Sequence, residues 1–484
     1  MTLLDAGPVA APTAPSAAAA PAALAAPAAS AGLTPADLRA LRAGLRGAVL
    51  TPGDAAYDAA RRGHNLVYDR HPAVVVRPAD AIDVSRAVVT ARELGLEIAV
   101  KGGGHSIAGH STNDGGMVID LADMRAVEID PIRRLGSAQG GTTAGEYTVA
   151  AHQRGFATPF GDTGNVGLGG LTLGGGIGWL VRKHGLTIDS LVSVDLVTAD
   201  GRFTTVDADH DPDLFWALRG GGGNFGIATR FRYRLHPVDM ITGGLIALPL
   251  SQDVLRNLVE VSAAAPEELS QITFVMGLPP APFVPAELVG SPAVIVMLVH
   301  AGDPAAGEAA VAPFRALATP LADMTGPMPY PAIYGFTEDA AQPGKSVVRS
   351  NFLRTLDGGA LDAIVERHQS PEGRMAITQL RVLGGAMARV PADATAFAHR
   401  DALVMTTVIA MVPDSHEVTA AWADAYLADM SATATGVYSN FMADEGESRF
   451  SRAYPGATYE RLVAVKRRVD PENAFRGNHN IRPS

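Results

Sequence analysis

Three glycines followed at once by a histidine bring backbone and imidazole to one point. In Lys101-Gly102-Gly103-Gly104-His105-Ser106 the glycines lack side chains, so the backbone can approach a bound group closely. His105 would then touch whatever the backbone approached. Glycine-rich turns recur at 140–141, 161–178 and 220–226. Backbone N–H groups in such turns form anion-binding nests. Several converging turns suit a large, extended ligand that carries a diphosphate. Two nearer motif matches fail on context. The GGGNFG of Gly221–Gly226 satisfies G-x-G-x-x-G, but a helical pattern precedes it and a strand pattern follows, the reverse of a nicotinamide-dinucleotide fingerprint. No G-x-x-x-x-G-K-[ST] phosphate loop occurs. His105 and His110 fall on different faces of either regular element, and no carboxylate cluster joins them, so no metal site is expected.

Composition removes other chemistries. The 484 residues contain no cysteine, which excludes disulfides, thiolate metal sites and a Cys nucleophile. A net charge of −11 argues against a nucleic-acid groove or an anionic membrane surface as partner. No apolar run is long enough for a transmembrane helix. Residues 1–32 are rich in Ala and Pro with Asp5 as their one charged residue, and read as a disordered tail. A cytoplasmic protein is expected, with export as the alternative. Oligomeric state is left open.

The elements that must position the turns alternate strand and helix. Thr34 caps a helix that begins with Pro35. Val74–Val76 reads as a buried strand, Asp80 or Ala81 opens a helix that Gly95 closes, and 97–101 is the strand feeding the first glycine turn. A helix is expected from Thr143 to Arg154, and a hairpin turns near Asp200–Gly201. The stretch 160–186 is too dense in glycine for a regular helix or sheet, and reads as a long loop shaped by a ligand. After Pro237 the texture changes to a second domain, and distinctive motifs return from Thr435. The layering is α+β.

The motifs KGGGHS, GNVGLGGLTLGGGIGWLVRKHGLTIDSLVSVDLVTADG, DLFWALRGGGGNFGIATRF, YSNF and YERLVAVKRRVDPENAFRGNHNI together resemble the berberine bridge enzyme-like FAD-linked oxidases, a group of the vanillyl-alcohol oxidase and p-cresol methylhydroxylase superfamily. The likeness runs from about Ala55 to Ser484, and is nearest to bacterial members of the 6-hydroxynicotine oxidase type. It implies a two-part FAD-binding domain of the p-cresol methylhydroxylase type, residues 33–237 and 435–484. A substrate domain, 238–434, is inserted between them as an antiparallel sheet covered by helices.

The resemblance also implies roles. His105 occupies the position of the histidine joined to the flavin 8α-methyl group. The implied cofactor contacts are Gly102, Gly103, Gly104, Ser106 and His110 in the first turn, and Gly140 and Gly141 in the second. Thr163, Val166, Gly167, Gly170, Gly174, Gly175 and Gly178 follow in the third, then Gly226, Ile227, Asn478 and Asn480. Thr163 stands where many members carry a second, cysteinyl tether, so a single tether through His105 is expected, with a lower flavin potential and a less open cleft. Lys101 replaces the family's usual Arg, keeping charge without the fork. The implied reaction moves hydride to flavin N5 from a C–H beside an alcohol or amine, then electrons to O2, giving H2O2. The small Val166 sits at the oxygen-gating position, which favours oxidase over a dehydrogenase with another acceptor. Tyr438 is the candidate base. The strand containing Met405, Thr406 and Thr407 lacks the Lys or Glu of some relatives, leaving Tyr438 alone or helped by His399, Gln379 or Arg381, with Tyr330 and Tyr334 as possible substrate contacts and a catalytically silent flavoprotein as the other reading.

Overall fold

The computed structural model describes residues 33–484 except 281–283, 339–341, 371–375 and 444. The Ala/Pro segment 1–32 lies outside the described residues. Local sequence signals start the elements. Thr34 closes a capping box with Asp37 and opens the helix Pro35–Gly44. Asp80 accepts from the N–H groups of Ile82 and Asp83 and opens the helix Ala81–Glu93. The chain then reverses through Gly95 at φ +65°.

Two small sheets form the cofactor-side half. The first orders Ala48–Leu50, Val74–Arg77, Met117–Asp120 and Ile98–Lys101, with only the first pair antiparallel. The strand Ile98–Lys101 ends at the first glycine turn. The second sheet orders Val127–Asp130, Leu135–Gln139, Ile227–Arg234, Leu191–Val197 and Phe203–Asp207, all antiparallel. Its last two strands form the hairpin expected around Asp200–Gly201.

One expectation needs correction. Residues 160–186 are not loop throughout, because Leu168–Leu173 and Val181–His184 are short helices. Leu168, Leu171 and Leu173 bury their side chains in the core, and that burial offsets the entropic cost of Gly169 and Gly170. The helix expected at 143–154 spans Ala144–His152, with Thr143 and Glu146 as its capping box.

A nine-stranded sheet builds the other half. Its central order is Met240–Pro249, Pro292–His300, Leu269–Gly277, Ala376–Val382, Val404–Met411 and Ser346–Leu353, and Ala434–Gly436 closes one edge. Register decides what each face presents, since residues paired across antiparallel strands share a face. Leu380, Val382, Val404 and Val408 pack with helix residues Leu255, Ile364 and Tyr426 on the back. The front therefore carries Phe274, Gln379, Thr407 and Ser350 in one row and Arg381, Met405 and Phe352 in the next. No described helix is long and apolar enough to cross a membrane.

Candidate active site

Hydrogen bonds draw the glycine turns to one place. The Gly104 carbonyl accepts from His64 N–H at 2.8 Å, and Thr142 O accepts from Leu168 N–H at 2.9 Å. Gly145 N–H donates to Gly164 O at 2.7 Å, and the N–H groups of Gly220 and Gly222 both donate to Leu173 O at 3.0 Å. A Cβ on Gly103 would run into the backbone of Gly167, and one on Gly167 into the backbone of Gly103. The two turns can meet only because both residues are glycine. Gly102 and Gly169 both approach Gly140 O, and Gly141 lies against Leu121 O.

The C-terminal tail closes the same place. Asn224 of the fourth turn donates to His479 O at 3.1 Å and accepts from Ile481 N–H at 2.9 Å. Asn478 donates to Gly223 O at 3.3 Å. Behind this knot Lys466 is fully buried, its ammonium donating to Asn224 O, Asp470 Oδ2 and Phe475 O at 2.8, 2.7 and 3.0 Å.

Polar atoms along the convergence are buried and unpaired: His110 Nε2, Thr142 Oγ1, Asn478 Oδ1 and Asn480 Oδ1. Buried polar atoms of folded proteins are nearly always paired. A slot rimmed by backbone amides and holding four such atoms fits a long polar cofactor with a diphosphate and a hydroxylated chain. The His105 ring stacks on His64 with centroids 4.2 Å apart and planes 19° apart. Burial, aided by His64, pushes the His105 pKa down to about 4. Its imidazole is therefore neutral at neutral pH, with the ring nitrogen lone pair that a covalent tether requires. Ser106 Oγ accepts from His110 N–H at 3.0 Å and fixes the turn. The His110 ring meets His479 edge-on at 4.7 Å.

The remaining sequence candidates spread around this core. Thr163 is half-buried in the third turn, and Val166 O accepts from Ala144 N–H at 2.9 Å. Gly174 lies against the Asn440 amide, Gly175 against Phe397 and Tyr438, and Gly178 against Phe160 O. Gly170 is exposed and faces open space. Gly226 lies against Leu196, and the Ile227 side chain is in the core with Met117 and Val197.

Tyr438 is 3% exposed, and its hydroxyl accepts from Gly176 N–H at 2.9 Å and from Asn440 Nδ2 at 3.1 Å. Burial raises its pKa above the ordinary phenol value, and outweighs those two bonds and the Arg381 charge, which pull it down. Phe352, Phe397 and Phe441 surround the ring.

Beside it lies a group the sequence reading missed. Asp162 Oδ2 accepts from Arg381 Nη2 at 2.8 Å, and the same nitrogen donates to Gln379 Oε1 at 2.9 Å. The Arg381 guanidinium sits 5.2 Å from the Phe441 ring centroid. A lone Asp beside a glycine run gave no signal in sequence, since its partner is 219 residues away. His399 does not join this cluster. It bonds Ala453 O at 3.2 Å and stacks on Phe352. Tyr330 and Tyr334 are buried at the foot of the large sheet, where Tyr334 Oη bonds Thr148 Oγ1 at 3.3 Å. Among the described residues, no cluster of three or more His, Asp or Glu could hold a metal ion.

Comparison with known proteins agrees with this arrangement. A family model for an FAD binding domain matches residues 72–207, and a model described as berberine and berberine like matches residues 437–482. An uncharacterized FAD-linked oxidoreductase of Bacillus subtilis is 31% identical over 463 residues, covering 91% of this chain and 97% of the relative. The (R)-6-hydroxynicotine oxidase of Paenarthrobacter nicotinovorans is 30% identical over 461 residues, covering 91% and 97%. The crystal structure of 6-hydroxy-D-nicotine oxidase from Arthrobacter nicotinovorans superimposes with a TM-score of 0.80 at 28% identity, over 91% of this chain and 98% of that one.

Proposed function

Because the chain belongs to the berberine-like FAD-linked oxidoreductases, we propose that it is an oxidase of a small alcohol or amine, passing the electrons to O2 and releasing H2O2. The observation that carries this reading is the slot where four glycine turns, His105 and the tail meet around unpaired polar atoms. When bound there, FAD supplies the two-electron acceptor for a substrate hydride.

The chain's own residues supply position and proton handling. His105, neutral and buried, holds the cofactor through one ring nitrogen. The absence of cysteine limits the attachment to that one bond. The amides of the first and third turns would hold the diphosphate, and Asn478 and Asn480 would offer acceptors from the tail. Val166, small at the gating position, leaves room for O2. Tyr438 is the proposed base for the substrate O–H or N–H proton. Gly176 N–H, Asn440 and the Arg381 charge stabilise its phenolate, while burial opposes it. The large sheet, through Gln379, Arg381 and Thr407, covers the substrate. The printed name of one relative, a hydroxynicotine oxidase, supports a small organic substrate.

The test is a panel of alcohols and amines mixed anaerobically with the purified protein, followed by air. Bleaching of the flavin and one peroxide per substrate oxidised are expected. Bleaching with reoxidation by air over many minutes would replace oxidase by dehydrogenase.

A further inference from the structure

Arg381 is 3% exposed, and one terminal nitrogen carries both of its described bonds to side chains at the cleft, to Asp162 and Gln379. Its Nε is buried with no partner. Thr407 is fully buried, and its Oγ1 also has no partner. The register sets Thr407 opposite Gln379, and Arg381 opposite Met405, one row along on the same face. Arg381 and Thr407 are thus diagonal neighbours, a spacing that a long side chain bridges. Two orphaned polar atoms on one face call for a ligand partner.

The rest of that face limits what the ligand is. Phe274, Phe352 and Met405 share the rows of these two residues with Gln379 and Ser350, and the Phe441 ring lies under the guanidinium. Asp162 already balances the Arg381 charge, so an incoming carboxylate would meet a like charge at once.

We propose that Arg381, helped by Thr407, anchors an uncharged acceptor atom of the substrate, and that the substrate binds there through a neutral group rather than a carboxylate. This rests on the reading of the chain as an FAD-linked oxidase. Asp162 is a positioning residue, holding the guanidinium so that Nε points into the cleft.

The experiment is calorimetric titration of the flavin-loaded protein with benzamide and with benzoate, which share a shape and differ in charge. Wild type should bind benzamide more tightly than benzoate. The double variant D162N/R381M removes the pair without leaving a lone buried charge. It should weaken benzamide by about tenfold or more, as expected for a hydrogen bond to a charged group. R381K, which keeps charge without Nε geometry, should recover only part of that loss. D162N alone leaves a net cation and should reverse the preference towards benzoate. Benzamide affinity in the double variant within about twofold of wild type would overturn the anchor. No heat with either probe, or tighter benzoate in wild type, would overturn the ligand class. Flavin content and bleaching by substrate are read on the same sample. A protein without flavin sinks the oxidase reading itself. A flavin that bleaches while the titrations stay flat sinks the anchor and the ligand class together, and leaves the oxidase reading standing.

Discussion

Replacing Tyr438 by Phe removes one oxygen and keeps the ring among Phe352, Phe397 and Phe441. Two donors lose an acceptor. Asn440 Nδ2 retains Leu171 O at 3.2 Å, so only Gly176 N–H is orphaned in a buried place. One unsatisfied buried donor costs about 1–3 kcal/mol. At roughly 2–4 °C per kcal/mol for domains of this size, the melting temperature should fall by several degrees. If Tyr438 is the base, anaerobic flavin reduction should slow by about 10²–10⁴-fold. The two readouts separate the roles, because a packing residue moves only the first. Acidity adds a third. With the Tyr438 pKa above its ordinary value of 10.0, the phenolate is scarce at neutral pH. Wild-type reduction should therefore keep rising to about pH 10, and the variant should lose that rise. Stopped-flow reduction in Y438F within about threefold of wild type at all these pH values, with only the melting temperature lowered, would refute the assignment.

Other outcomes follow from the same structure. Burial depresses the His184 and His236 pKa values to about 3 and about 4, from 6.5, and the rings stack 4.0 Å apart. The unfolded chain takes up these protons first, so the stability they contribute is present above about pH 6.5 and is lost as pH falls towards about 3. Melts at decreasing pH should show the loss, and H184Q should reduce its steepness; an unchanged slope contradicts the cause given. Lys466→Met breaks a fully buried ion pair behind the tail knot and should cost about 3–5 kcal/mol in denaturant unfolding. It should also lower flavin content, because Asn224 and the tail lose their shared anchor, and a loss below about 1 kcal/mol would show the knot to be unimportant.

Much of this architecture was legible in the chain. Glycine is demanded where backbones touch, so turns far apart in sequence advertised a common ligand, and Gly103 against Gly167 is that contact. Thr34, Asp80 and Thr143 announced helix starts because their side chains take the first free N–H groups. The glycine stretch misled because propensity is local, whereas Leu168, Leu171 and Leu173 gain their burial from residues elsewhere. The Asp162–Arg381 pair was hidden for the same reason. Whether Arg381 faces the cleft or the helices depends on strand register, and a shift of one residue would reverse it.

On the proposed function, this chain carries FAD on His105. Acid precipitation followed by a denaturing gel viewed for flavin fluorescence tests it most directly, with His105→Ala run alongside. Wild type should give a yellow pellet and a fluorescent band, and the variant a colourless pellet with flavin in the supernatant. Flavin released by acid from the wild-type protein would contradict the tether, and with it the role given to the histidine after the three glycines.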